Sequence, residues 1–242
     1  MEWTAPGIVV ATAPYGEGDA LAAIFSEAHG VFRGLARGGQ SRGQAGVWQV
    51  GNLVEARWVA RLADQLGSLT AELVHPSAAL AMPDPLSLAV LAASCAVAEG
   101  ALPEREPHAK IFRGLLHLIV HLDQGRAGVA ALAGWELGLL AELGYGLDLS
   151  ACAVTGAAED LAYVSPRTGR AVSAAAAGIW RDRLLRLPGF LLRPATQDAS
   201  DLQDALRLTG HFLTRDVFGV RHRALPAARL RLAEMIQVDS VS

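Results

Sequence analysis

From Gly7 to about Val74 the apolar residues come in short blocks separated by glycine-rich turns, and the recurrence of a helix is missing. This pattern predicts short antiparallel strands. Gly7 to Thr12 is the first, Tyr15-Gly-Glu-Gly-Asp19 is a turn, and Ala20 to Ser26 is the second, reversed at His29-Gly30. Val31 to Ala36 is the third; a glycine- and arginine-rich loop then covers Arg37 to Gly46, and Asn52 to Arg61 is expected to be the longest strand. There Val54, Ala56, Trp58 and Ala60 alternate with Glu55, Arg57, Val59 and Arg61, which sets an apolar face against a mostly charged one. Ser68 to Val74 is the fifth. Five such strands in about 70 residues match an OB-type barrel, a fold whose strand surface and loops commonly bind single-stranded nucleic acid.

After His75-Pro76 the texture turns to alanine and leucine. Asp84-Pro85 reads as a helix start, with aspartate as N-cap and proline where a missing N–H costs nothing. A second helix is expected from about Pro107 to Leu122, its face marked by Ile111, Leu115, Leu118 and Leu122, and a third from about Ala127 to Leu143, stopping at Gly144. Between Gly144 and Gly178 the helical period fades, as in a small inserted β subdomain. Trp180 to Leu187 and Asp198 to Phe218 read as helical again.

The 242 residues are 52% hydrophobic and 19% charged, enough to bury a core and too apolar for a disordered tail. The formal charge of −3 argues against coating polyanions through bulk charge, so any polyanion site must be local. Two local excesses stand out. Between Gly30 and Arg61, Arg33, Arg37, Arg42, Arg57 and Arg61 face Glu55 alone; near the C-terminus Arg207, Arg215, Arg221, Arg223, Arg229 and Arg231 face Asp216 alone. Either cluster suits phosphate neutralisation, and either suits a plain solvated face. The two cysteines, Cys95 and Cys152, lie far apart with no signal peptide ahead of them, as expected of a cytoplasmic protein. The most apolar stretch, Leu86 to Ala98, falls short of the roughly 18 residues that span a bilayer, so no membrane partner is expected.

Catalytic signatures are sparse. With Lys110 the sole lysine and no glycine-rich loop ending in Lys-Ser or Lys-Thr, a Walker-type phosphate loop is excluded; there is no nucleophile elbow, no Gly-x-Gly-x-x-Gly after a strand and no Cys-x-x-Cys. His117 and His121 lie four apart on a helix, a spacing that presents both imidazoles to one metal. Leu118 stands where a zincin carries its glutamate, which counts against a zincin; a metal-dependent enzyme centred on this pair is the alternative reading. Trp48, Trp58 and Phe32 interleave with the barrel arginines as in single-strand grooves; Trp58, on the apolar face, reads as core, while Trp48 reads equally as core or as stacking platform.

The motifs Tyr15-Gly-Glu-Gly-Asp19, Glu27-Ala-His29-Gly30, Arg37-Gly-Gly-Gln-Ser-Arg42 and Gly51-Asn-Leu-Val-Glu-Ala-Arg57 resemble the RecO recombination mediators of bacteria. The likeness continues through Leu143-Gly-Tyr-Gly-Leu-Asp148, Cys152-Ala-Val-Thr-Gly156, Ser165-Pro-Arg-Thr-Gly-Arg170 and the basic segment from Arg215 to Arg231, covering nearly the whole chain in order.

The resemblance implies an α+β, multidomain chain: an OB fold over residues 1–78, a helical domain over 79–146 that resumes over 179–242, and an inserted zinc-finger-like module over 147–178. It further implies a non-enzymatic, cofactor-free protein that binds single- and double-stranded DNA and anneals strands coated with single-strand-binding protein. With RecR, and in some pathways RecF, such proteins help RecA replace that coat during gap repair, in the cytoplasm at the nucleoid. By the same resemblance Arg33, Arg37, Arg42 and Arg57 are the DNA-binding residues of the barrel, with Arg215, Arg221 and Arg223 extending the path. Lys110 and Arg113 are candidate partners for the acidic C-terminal tail of single-strand-binding protein. The module departs from the family pattern: where many members carry two Cys-x-x-Cys pairs, this chain has Cys152, Thr155, Ser173 and Ala176. One thiolate does not make a tetrahedral structural zinc site, so hydrogen bonds and small-residue packing are expected in place of the metal.

Overall fold

A computed structural model of the chain describes residues 1–62, 65–122, 125–193 and 198–239. Residues 194–197 and 240–242, within the expected helical stretch 179–242, lie outside the described set. The chain divides into two compact units, Met1–Gly125 and Arg126–Ser242.

In the first unit five strands, β1 (Glu2–Tyr15), β2 (Asp19–Ser26), β3 (Gly30–Ala36), β4 (Leu53–Val59) and β5 (Gly67–His75), close into a barrel in the order β1-β2-β3-β5-β4. Closure depends on the length of β1. Its first half, Glu2 to Ile8, pairs with β4, and its second, Gly7 to Tyr15, pairs with β2 around a bulge between Val9 and Ala11. At 14 residues β1 is twice the 7 of β4, which corrects the expectation that Asn52 to Arg61 is longest. The cause is tertiary: Glu2 and Pro6 are weak strand formers that the pairing with β4 holds extended. The parallel pairing of β3 with β5 at Gly34–Gly67 and Leu35–Ser68 completes the cylinder.

The expected alternation of β4 is realised, with Val54, Ala56 and Trp58 buried beside Val9, Ile24 and Leu69 in the barrel core. Gly30 turns β2 into β3 at φ +73°, and the space a Cβ would take there is filled by the Glu106 backbone. Helices α1 (Ser77–Ala81), α2 (Pro85–Ala101) and α3 (Ala109–Val120) complete the unit. The Asp84 side chain caps α2 by accepting from the N–H groups of Leu86 (3.3 Å) and Ser87 (3.0 Å), with Pro85 at the first helical position as the dipeptide predicts. α2 packs on β1, and α3 on β2 through an edge-to-face contact of Phe112 with Phe25.

The second unit opens with α4 (Arg126–Glu142), ended at Gly144 with φ +87°. Within the stretch where the helical period fades, strands β6 (Leu161–Val164) and β7 (Ala171–Ser173) pair antiparallel, and α5 (Ala174–Ala177) follows. Trp180 to Leu187 is not helical beyond a short 3₁₀ turn over Gly178–Arg183; Leu185–Arg186 becomes β8, pairing with β6. The reason is tertiary, since the edge of β6 offers partners that a short helix lacks. α6 (Ala199–Phe212) starts at a capping box of Asp198 and Asp201, and the chain continues in wider π turns to Phe218, so the helical stretch extends as far as expected. α7 (Ala227–Asp239) packs on α6, and α6 on α4.

Candidate nucleic-acid interface

The loop between β3 and β4 carries Arg37 and Arg42, both exposed, and among the described residues neither has a carboxylate partner. The loop is nonetheless fixed. Asp19, from the acidic turn, accepts the Gly38 N–H at 2.7 Å, and the Gln40 N–H donates to the Gly18 carbonyl at 3.0 Å. Gly38 sits at φ +64°, where L side chains are strained. Beyond it, short turns run from Ser41 to Val47. Buried Asn52 holds the far end, its amide donating to the Gly46 carbonyl (2.7 Å) while its oxygen accepts from the Ala78 N–H (3.1 Å). Trp48, only 3% exposed, plugs the barrel core, which decides its open reading in favour of core. Two guanidinium groups are thus displayed on a rigid basic loop anchored at both ends.

The other two barrel arginines differ. Arg33 donates to Glu99 of α2 and to Glu104, so two carboxylates already neutralise it. Arg57 pairs with Glu2 at 2.7 Å, both side chains half exposed, where such a pair contributes little and exchanges readily with another anion. The charge counted along the chain therefore overstates the charge displayed. Phe32 and Trp58 form an aromatic cluster with Trp3 and His29, and the Trp58 indole N–H donates to the Arg33 carbonyl at 3.1 Å, which makes Trp58 core as expected.

In the second unit Arg215 is also committed. It grips Asp216 through two bonds of 2.6 and 2.8 Å, lies over the Phe212 ring, and donates to the carbonyls of Pro166 and Arg167. It thereby pins the β6–β7 turn to the end of α6. Arg221 and Arg223 are exposed. Arg229, 1% exposed, is a core group: it makes a two-point pair with Glu136 (2.6 and 2.9 Å) and donates to the Leu206 carbonyl and the Thr209 hydroxyl. The C-terminal cluster is in part an internal strut.

On α3, Arg113 pairs with Glu27 at 3.0 Å, and Lys110 is exposed one turn earlier. His117 and His121 do meet, their rings 4.3 Å apart, but His121 Nδ1 lies 2.8 Å from the His117 carbonyl, and no group of three His, Cys, Asp or Glu forms among the described residues. A pair with one ring nitrogen so engaged does not supply the three protein ligands of a catalytic zinc site.

The four positions that the resemblance equates with metal ligands do converge. Cys152, 2% exposed, accepts the Ser173 N–H at 3.3 Å, and Ser173 in turn accepts the Ala176 N–H at 3.4 Å. Hydrogen bonds from the Thr155 hydroxyl, then from Ser173, pull the Cys152 thiol down to about 6. With one thiolate and two hydroxyls this donor set does not fit a structural zinc ion.

Density of arginine made the basic loop legible in the sequence; the carboxylates that silence Arg33 were not, because Glu99 and Glu104 lie 66 and 71 residues away. Asp19 was visible only as part of a turn, and Asn52 only as part of a motif.

The residues match two family descriptions, Recombination protein O N terminal over 1–77 and Recombination protein O C terminal over 82–226. The chain is 62% identical over 239 residues to the DNA repair protein RecO of Granulibacter bethesdensis, covering 98% of this chain and 96% of that one. It is 58% identical over 240 residues to the DNA repair protein RecO of Acidiphilium cryptum, with 98% and 96% covered. At greater distance it is 44% identical over 237 residues to the DNA repair protein RecO of Cereibacter sphaeroides, with 98% and 99% covered. A closed five-stranded barrel with a fixed arginine loop, followed by a helical unit, thus coincides with end-to-end similarity to one family: the chain belongs to the RecO family of DNA repair and recombination proteins.

Proposed function

We propose that this protein is a non-enzymatic DNA-binding mediator whose barrel is of the OB type, with Arg37 and Arg42 as its leading phosphate contacts. The observation that carries this reading is the rigid loop that displays both guanidinium groups without a carboxylate partner among the described residues. Preorganised cations bind a polyanion without first breaking internal ion pairs. Arg57 joins them by exchanging Glu2 for phosphate, Arg33 serves chiefly to tie β3 to α2, and exposed Arg221 and Arg223 supply contacts in the second unit. Because phosphate contacts carry no sequence information, binding is sequence-tolerant, as annealing of arbitrary complementary strands requires.

In this reading the protein binds single- and double-stranded DNA, anneals strands coated with single-strand-binding protein, and acts with RecR, and with RecF where present, in loading RecA at cytoplasmic gaps. Lys110 and Arg113 on α3 receive the acidic tail of the coating protein, Arg113 by exchange with Glu27. The test follows two complementary oligonucleotides, each precoated with single-strand-binding protein, by loss of donor fluorescence. The wild-type protein is expected to accelerate annealing and the R37A/R42A variant to lose most of that acceleration. Equal acceleration by both would remove this loop from the mechanism, and none from the wild type, even with RecR present, would overturn the annealing role.

A further inference from the structure

The edge of the inserted module and the 3₁₀ turn after it carry an apolar surface that none of the assigned arginines explains. Ile179 is 91% exposed and Trp180 56%, side by side on the 3₁₀ turn after α5. Beside Trp180 lies a cavity of about 240 Å³, walled by Val154, Val172, Ala176 and Leu184 and edged by the hydroxyl residues Ser165 and Thr168. That volume is below the roughly 300–1,000 Å³ of sites for drug-sized ligands and suits one flat ring system. Leaving tryptophan, isoleucine and valine in water on a small module loses hydrophobic stabilisation that burial elsewhere would provide, which marks the patch as a recognition surface.

Charge selects the occupant. Arg183 lies over the Trp180 ring at 5.3 Å from its centroid, and among the described residues it has no carboxylate partner. Arg167 lies in the β6–β7 turn, in the chain between the cavity-lining residues Ser165 and Thr168, and is exposed. Its carbonyl is held by Arg215 at 3.0 Å, so the turn that carries it is fixed. Asp182 is the acid within the 3₁₀ turn itself, set against Arg181 and Arg183. An apolar slot bounded by an exposed indole, with Arg183 over that ring and Arg167 in the turn that supplies Ser165 and Thr168, matches a polyanion that bears flat rings. Duplex DNA keeps its bases stacked inside; a single strand presents them.

We propose that the edge of the inserted module and the 3₁₀ turn that follows it form a nucleobase-stacking site for single-stranded DNA, in which one base stacks on Trp180 while neighbouring phosphates meet Arg183 and Arg167. The inference rests on the DNA-binding reading above and adds to it a second contact, in the second unit, that reads bases through their faces.

Trp180 is one of five tryptophans, and the difference between wild type and W180F isolates its emission. Full-length protein is titrated with an oligothymidylate, with a sugar-phosphate oligomer of equal length lacking bases, and with a duplex, following tryptophan emission and affinity. Oligothymidylate is expected to quench emission, the abasic oligomer to bind more weakly without quenching, and the duplex not to quench. W180A should bind oligothymidylate about 5- to 160-fold more weakly, the range for removal of one stacked base. W180F, which keeps a stacking ring, should retain affinity but lose the quench. Unchanged affinity in W180A, an undiminished quench in W180F, or equal binding of the abasic oligomer each overturns the proposal. So does self-association of the wild type that W180A abolishes while leaving DNA affinity intact, since the patch would then join two copies. If W180A is unchanged while R37A/R42A binds weakly, only this inference fails; if the wild type binds no single strand, the reading of the barrel fails with it.

Discussion

Arg33 and Arg37 sit four residues apart with opposite fates: two glutamates take the first, and the second stands on a loop with no carboxylate partner among the described residues. A guanidinium already bonded to carboxylates must give those bonds up before it meets phosphate, so it adds little to binding. R37A/R42A should therefore flatten the slope of log affinity against log salt on single strands by roughly 0.7 for each phosphate no longer neutralised, while R33A leaves the slope nearly unchanged. Fluorescence anisotropy across a salt series measures both slopes. Cys152 gives a second prediction. Its thiol is held at about 6 against an ordinary 9.0 by the Thr155 hydroxyl and Ser173, so the folded state binds the proton less tightly than the unfolded chain. The stabilisation is complete above about pH 9, shrinks as pH falls, and is gone below about pH 6. Wild-type protein should thus lose its stability margin over C152A between those limits; parallel thermal melts at pH 6 and pH 9 test this, and a constant difference would contradict the hydrogen-bonded thiolate. Elemental analysis should show no stoichiometric zinc, as the donor set requires.

At the scale of elements, the joint of α4, α6 and α7 is held by charge as well as packing. Glu136, Thr209 and Arg229, one from each helix, form a closed buried network in which Arg229 is bonded to Glu136 by two hydrogen bonds. Removing one member strands a buried charge. R229A is expected to destabilise the second unit by about 3–5 kcal/mol, whereas a paired apolar replacement, E136L with R229M, should restore much of that stability. Denaturant unfolding of the three proteins decides between this outcome and a merely decorative pair, for which R229A would lie within experimental error of wild type. Along each element the reading from pattern succeeded where the cause was local: Asp84-Pro85 starts α2, Gly144 ends α4, and the alternation of β4 points Val54, Ala56 and Trp58 inward. It failed where a partner strand supplied the cause. β1 extends to Glu2 because β4 pairs with it, and Leu185–Arg186 is a strand because β6 offers an edge.

For the molecule as a whole, the compact unit that contains the barrel runs to Gly125, well past the barrel's last strand at His75. Arg33 reaches Glu99 in α2, and Asn52 bonds the first turn of α1, so the barrel draws part of its stability from the helices that follow it. A fragment of residues 1–125 should melt cooperatively, and one of residues 1–78 should melt at lower temperature or without a cooperative transition. Circular dichroism of the two fragments checks this, and equal melting would show the barrel to be self-sufficient. Among the described residues no helix is long and apolar enough to cross a membrane, in line with the short apolar run noted along the chain. The sequence by itself determined the order of the five barrel strands, the inward face of β4, the start of α2 at Asp84-Pro85, the end of α4 at Gly144 and the family, because each depends on residues a few positions apart or on their order. Only the tertiary structure decided which charges remain available. Arg33 and Arg229 are indistinguishable from Arg37 and Arg42 in composition, and electrostatic pairing follows distance in space, so Glu99 and Glu136 silence the first two across long stretches of chain.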